Sequence, residues 1–99
     1  MHDQIICNAI HQRCLLRLTY DGGHRIVEPH AYGHNNNKGH DLLRAYQVSG
    51  SSKSYEYVGW KIFRRDEMTS ILVLEQHFER PRQGYKRGDT ALDRIYCEL

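Results

Sequence analysis

Between Asp3 and Gln12 the apolar residues Ile5, Ile6, Ala9 and Ile10 recur at helical spacing with no breaker among them, which predicts a short amphipathic helix. The pattern then changes period. Cys14, Leu16, Leu18 and Tyr20 alternate with Leu15, Arg17 and Thr19, as in a strand half-buried on a core. Asp21-Gly22-Gly23 supplies the positive φ angles of a tight hairpin, so residues 24–28 are expected to return antiparallel. Pro29 lacks an N–H for a ladder and is expected to end or bend that strand, with Ala31-Tyr32-Gly33 briefly resuming it. The polar run 34–40 predicts a surface loop.

Residues 41–48 form the clearest strand, with Leu43 and Ala45 on one face and Leu42, Arg44, Tyr46 and Val48 on the other. A flexible connection over 50–54 leads to further strands over 55–64 and 68–74. Beyond Phe78 the chain is basic and irregular. Gly88-Asp89-Thr90 then offers a helix N-cap, and Leu92, Ile95, Tyr96 and Leu99 make an apolar stripe for a C-terminal helix over 91–99. Short strands joined by tight turns leave no room for parallel crossovers. The expected fold is therefore mainly β: a small five-stranded antiparallel barrel with an N-terminal and a C-terminal helix.

Composition narrows the class. The 99 residues, 39% hydrophobic and 26% charged, suit a single globular domain over 1–99, with its core in 4–78 and the basic segment and helix in 79–99. The first residues lack the uninterrupted apolar stretch of an export signal, and nothing approaches the roughly 20 apolar residues of a membrane span. Cys7, Cys14 and Cys97 form an odd set without CxxC spacing, which predicts reduced thiols and a cytoplasmic setting with no membrane partner. The net charge of +2 says little, but residues 80–87 hold four Lys/Arg and no acid, a place for a phosphate-bearing partner.

Three motifs in order resemble the WYL domain family. The run LRLTYDGGHRIVEPHAYG, 16–33, is similar to the family's opening hairpin; DLLRAYQVSG, 41–50, stands where its Trp-Tyr-Leu triplet and following Ala-Tyr occur. KIFRRDEM, 61–68, is similar to its later signature through Lys61, Phe63, Arg64, Asp66 and Met68. Of the triplet only Leu43 is present, while Ala45 and Tyr46 match. The likeness spans roughly residues 4–78, with the tail resembling a compact stand-alone subgroup. It implies an Sm-like barrel and a non-enzymatic sensor of nucleotides or nucleic acid, in a family associated with bacterial transcription control and defence. With no attached DNA-binding unit in the chain, regulation would run through a partner protein or by sequestering the ligand.

An anionic, planar ligand needs guanidinium groups for phosphate oxygens and aromatic faces for a base. Both occur here at strand spacing. The resemblance points to Arg25, Tyr46, Lys61 and Arg64; Tyr20, His30, Arg44 and Gln47 join them from the residue pattern, with Tyr32 and Trp60 among the neighbouring aromatics. The bland alternative is that Tyr20, Tyr46, Trp60 and Phe63 pack the barrel while the arginines pair with Asp66 and Glu28. Four of the seven histidines, His24, His30, His34 and His40, fall in one stretch, yet their spacing fits no zinc template, so neither a metal nor another cofactor is expected. A hydrolytic site would need a positioned base, such as His30 with Asp41, and no catalytic residue is assigned. Expected partners are a nucleotide or single-stranded nucleic acid. The competing reading is a protein-interaction subunit whose sheet edge or terminal helices pair with a partner regulator or effector, or with a second copy as a homo-oligomer. A His-dependent phosphodiesterase is a third, weaker reading.

Overall fold

The computed structural model describes residues 3–99, so Met1 and His2, the first residues of the expected domain and N-terminal segment, lie outside the described residues. Helix α1 (Gln4–Gln12) opens the chain, capped by the Asp3 carboxylate, which accepts from the N–H groups of Ile5 and Ile6, and ended by Arg13 in the left-handed region. Strands β1 (Cys14–Tyr20), β2 (Gly23–Asn35), β3 (His40–Gly50) and β4 (Gly59–Arg64) follow. After a 3₁₀ turn (Arg65–Glu67) come β5 (Ser70–His77) and β6 (Arg94–Glu98).

All pairings are antiparallel, in the order β4-β3-β2-β1-β5, with β6 added to β2. The mainly β, antiparallel reading stands in the structure. The closed barrel does not: β4 and β5 end the order without pairing to each other.

The C-terminal helix is also corrected, because residues 94–98 form the sixth strand. Its apolar residues serve two sides of the sheet. Cys97, with Tyr96 and Leu99 packed beside it, joins the core under α1, whereas Leu92 and Ile95 pack with Ala31 and Leu42 in a second, smaller cluster. A register shift between Tyr32 and Gly33 accommodates this split. Gly33 is needed there, since a Cβ would run into the Arg94 carbonyl. Leu92-Ile95-Tyr96-Leu99 spacing therefore satisfied a helical template while the free half of β2 offered a ladder.

Pro29 bends β2 without ending it. The register shifts between Pro29 and Ala31, so His30 is the extra residue of a bulge and the missing proline N–H falls beside the irregularity. The surface loop expected over 34–40 is narrower, a turn over 36–39 between β2 and β3, and β4 begins only at Gly59. The inner face of the sheet carries the main core: Leu16, Leu18, Val27, Tyr32, Leu43, Ala45 and Phe63 close over Ile6, Ala9 and Ile10 of α1.

Cys7 of α1 and Cys97 of β6 are disulfide-bonded, with Cα atoms 5.6 Å apart, which corrects the expectation of three reduced thiols. Docking of α1 across β6 brings together residues 90 apart, a proximity without any local spacing signal. Such bonds persist in oxidising compartments and are rare in the cytosol, so this one weighs against the cytoplasmic expectation. Cys14 is free and buried. No helix among the described residues is long and apolar enough to cross a membrane.

Candidate functional site

Strand alternation divides the expected site residues between two faces. On β3 and β4, Arg44 and Tyr46 stand opposite Ile62 and Trp60 on the outer face, while Ala45 and Gln47 stand opposite Lys61 and Gly59 on the inner one. Arg44, Tyr46 and His30 thus gather on the outer side with Trp60. Arg25, Tyr20, Gln47 and Lys61 occupy the inner side, and Arg64 sits at the rim.

The outer group is covered by residues 78–92, which cross the sheet before β6. Bulged His30 is wholly buried at the centre of an aromatic cluster, 4.7 Å from Trp60, 5.3 Å from Phe78 and 5.0 Å from Tyr85 between ring centroids. The backbone N–H of Arg82 points at His30 Nε2 (3.0 Å); an N–H only donates, so Nε2 is unprotonated. The ring proton therefore lies on Nδ1, which donates to the Glu28 carbonyl at 2.8 Å. Burial lowers the His30 pKa from its ordinary value of 6.5, against the opposing pull of Glu28. Arg82 then forks onto the Glu28 carboxylate (2.7 and 3.2 Å) and lies over Tyr46, 4.5 Å from the ring centroid.

A pH dependence follows. With its folded pKa depressed, His30 binds its proton less readily in the folded chain than in the unfolded one. Its contribution to stability is full above about pH 6.5 and declines as pH falls from there toward the depressed folded value. We expect Tm to fall between about pH 7 and about pH 5, and that slope to flatten in His30→Phe, measured by thermal unfolding. Equal slopes in the two proteins would refute it.

Beyond the His30–Arg82–Glu28 contacts, Trp60 Nε1–H donates to the Gln83 carbonyl (3.2 Å) and Arg44 grips Asp89 (2.7 and 3.4 Å). Burial opposes ionisation of Asp89, but the hydrogen bonds from Arg44 and the Ala91 N–H bring its carboxyl below the usual range. Between these anchors lies a cleft of about 620 Å³. Trp60 and Tyr85, nearly parallel with centroids 6.2 Å apart, form its aromatic wall. Arg44, Lys86 and Arg87 bring positive charge, of which Asp89 and Glu98 engage the two arginines. Lys86 has no carboxylate partner among the described residues. The volume falls within the roughly 300–1,000 Å³ of small-ligand pockets.

The inner group is built differently. Arg25 is buried, its guanidinium 5.4 Å from the Tyr20 ring and 5.6 Å from Phe63, with Asp21 at 3.5 Å. Gln47 donates through Nε2 to the carbonyls of Ser51 and Tyr57, tying down the β3–β4 loop. Lys61 donates to the hydroxyls of Ser52 and Ser54. Tyr20 donates its hydroxyl proton to Glu67 and accepts from the Arg64 N–H, and burial raises its pKa.

At the rim Arg64 is committed to Asp66 through two hydrogen bonds of 3.1 and 2.8 Å, which pull the Asp66 carboxyl below its ordinary value. Asp41 partners His34 (2.8 Å) and Tyr96 (3.0 Å), whereas His30 is sealed in the aromatic cluster. No group of three or more His, Cys, Asp or Glu among the described residues is placed to hold a metal ion. Sequence reasoning marked the charge of 80–87 but not Tyr85, Arg82 or Asp89 as parts of the cleft. The available signal was glycine: Gly84 and Gly88, with φ of 93° and 71°, bracket Tyr85-Lys86-Arg87 as a turn-bounded loop.

The chain matches no family model, and searches of curated proteins and of solved structures find no match either.

Proposed function

We propose that this domain is a non-enzymatic binding module that takes a planar anionic ligand, a nucleotide or a short single strand, in the outer cleft. The observation that carries the reading is the convergence of Arg44, Lys86 and Arg87 with the Trp60–Tyr85 wall around one opening. A guanidinium fork or ammonium meets phosphate oxygens while a ring face meets a base. The WYL resemblance supports the same ligand class and remains part of the proposal. An Sm-like origin for the open antiparallel sheet, which the same resemblance implies, is part of the proposal as well. In this reading the domain regulates through a partner that senses whether the cleft is filled.

Calorimetric titration with nucleotides and short single strands tests it. Binding should weaken as salt rises, and Lys86→Ala/Arg87→Ala should lower affinity by about tenfold or more. Absence of binding across the panel, or equal affinity in the double variant, would remove the cleft from consideration.

A second reading rests on β5. Among the described residues it pairs only with β1, which leaves its other edge free, and it exposes Leu72 and Val73. An unprotected apolar edge is a docking place for another strand. Concentration-dependent association that Val73→Lys abolishes would favour this reading over the cleft.

A further inference from the structure

The inner face carries a second cluster whose donors are not consumed by carboxylates. Lys61 Nζ lies 3.2 Å from Ser52 Oγ and 3.5 Å from Ser54 Oγ, and the two hydroxyls are 3.0 Å from each other. One ammonium and two hydroxyls thus meet at a single point of the β3–β4 loop. Lys61 makes no ion pair among the described residues.

The surrounding charge has the right sign. Asp21 is the carboxylate that reaches the neighbouring cations, Arg25 at 3.5 Å and Lys53 at 3.6 Å. Glu56, exposed in the same loop, makes no ion pair with any of the three among the described residues. Arg25, Lys53 and Lys61 therefore outweigh the acids beside them.

The frame is fixed from below. Ser51 N–H donates to the His24 carbonyl (3.0 Å), joining the β3–β4 loop to the β1–β2 hairpin, and Gly23 leaves the space that Ser51 fills. Gln47 pins both ends of the loop through Ser51 and Tyr57. Arg25 Nε on this face is buried with no hydrogen-bond partner among the described residues, so that guanidinium keeps an unused donor; Gln47 Oε1, the other such atom, is an acceptor and has no part in holding an anion.

We infer that Lys61, Ser52 and Ser54 form an anion site specific for a phosphoryl group, on the opposite face of the sheet from the outer cleft and independent of it. When phosphate enters, the ammonium and both hydroxyls turn their protons from one another to its oxygens. Three charge-assisted donors replace three neutral-acceptor contacts, and the lysine gains a counterion. Lys53 and Arg25 add field without direct contact.

Amide and side-chain NMR shifts of the full chain, titrated with inorganic phosphate and separately with glycerol phosphate, test the inference. Saturable shifts at Ser52, Ser54 and Lys61 are expected. Binding of phosphate alone would mark a free-phosphate site; binding of both would mark a site for a phosphorylated ligand. Lys61→Met should abolish the response, and Ser52→Ala/Ser54→Ala should weaken it by about tenfold or more, with the remaining spectrum preserved as proof of folding. Lys86→Ala/Arg87→Ala should leave it unchanged, which separates this site from the outer cleft. Phosphate that shifts nothing in 50–61, or shifts it equally in Lys61→Met, would overturn the inference.

Discussion

Replacing Cys7 and Cys97 together with alanine is expected to lower stability by about 2–5 kcal/mol. The bond joins residues 90 apart, and in the chain-entropy account a closed loop of that length is worth about 4–5 kcal/mol, the upper part of that range. For a chain of 99 residues each kcal/mol moves Tm by roughly 4–8 °C, so the change should be at least about 8 °C. The reason lies in the fold as much as in the loop. Among the described residues β6 has only β2 as a ladder partner, and α1 closes the inner core, so the bond holds these two elements on one sheet. Reductant should reproduce the effect in the native chain and do nothing to the variant. Identical unfolding midpoints with and without reductant would show that the bond contributes nothing.

The second large effect is expected at His30. His30→Ala removes a fully buried ring packed against Trp60, Phe78 and Tyr85, and with it the acceptor for the Arg82 N–H. Loss of a buried ring typically costs on the order of 3 kcal/mol, with a further contribution from the orphaned N–H. The damage should be local before it is global. Arg82 would lose its seat, the Glu28 carboxylate would be left buried with a poorly placed partner, and residues 79–90 would detach from the outer face. Hydrogen exchange reads this directly: the Arg82 amide should lose protection while Val27 and Leu43 on the inner core keep theirs. Unchanged protection at Arg82 would mean that the segment is held by its other anchors.

How much of this was legible in the sequence depends on the range of the interaction concerned. Helix α1, the alternation of β1, the Asp21-Gly22 turn and the central strand β3 follow from neighbours in sequence, and each was readable. The fate of 91–99 was not. Leu92, Ile95, Tyr96 and Leu99 fit a helical stripe, and only the free half of β2, some 60 residues earlier, decides for a strand. The Cys7–Cys97 bond depends on the same docking.

The site divides in the same way. Strand periodicity correctly put Arg44 and Tyr46 on one face and Gln47 on the other, but it could not show that Lys61 and Arg25 lie on the side away from Arg44. His30 was readable as a candidate from the pattern of polar and aromatic residues on the strands. Its burial in an aromatic cluster depends on Phe78 and Tyr85, which are 48 and 55 positions later in the chain. The ion pairs Arg44–Asp89 and Glu28–Arg82 likewise join residues far apart in sequence, so the cleft could not be read before the tail was placed.

Trp60 is the sole tryptophan and lines the cleft, so its emission isolates the central claim. Titration of the intact, oxidised protein with a nucleotide should change that emission along a saturable curve, with an apparent affinity that falls as salt is raised and as Lys86 and Arg87 are neutralised. An emission spectrum indifferent to every nucleotide and short strand, in a protein shown by its amide spectrum to be folded, would contradict the account.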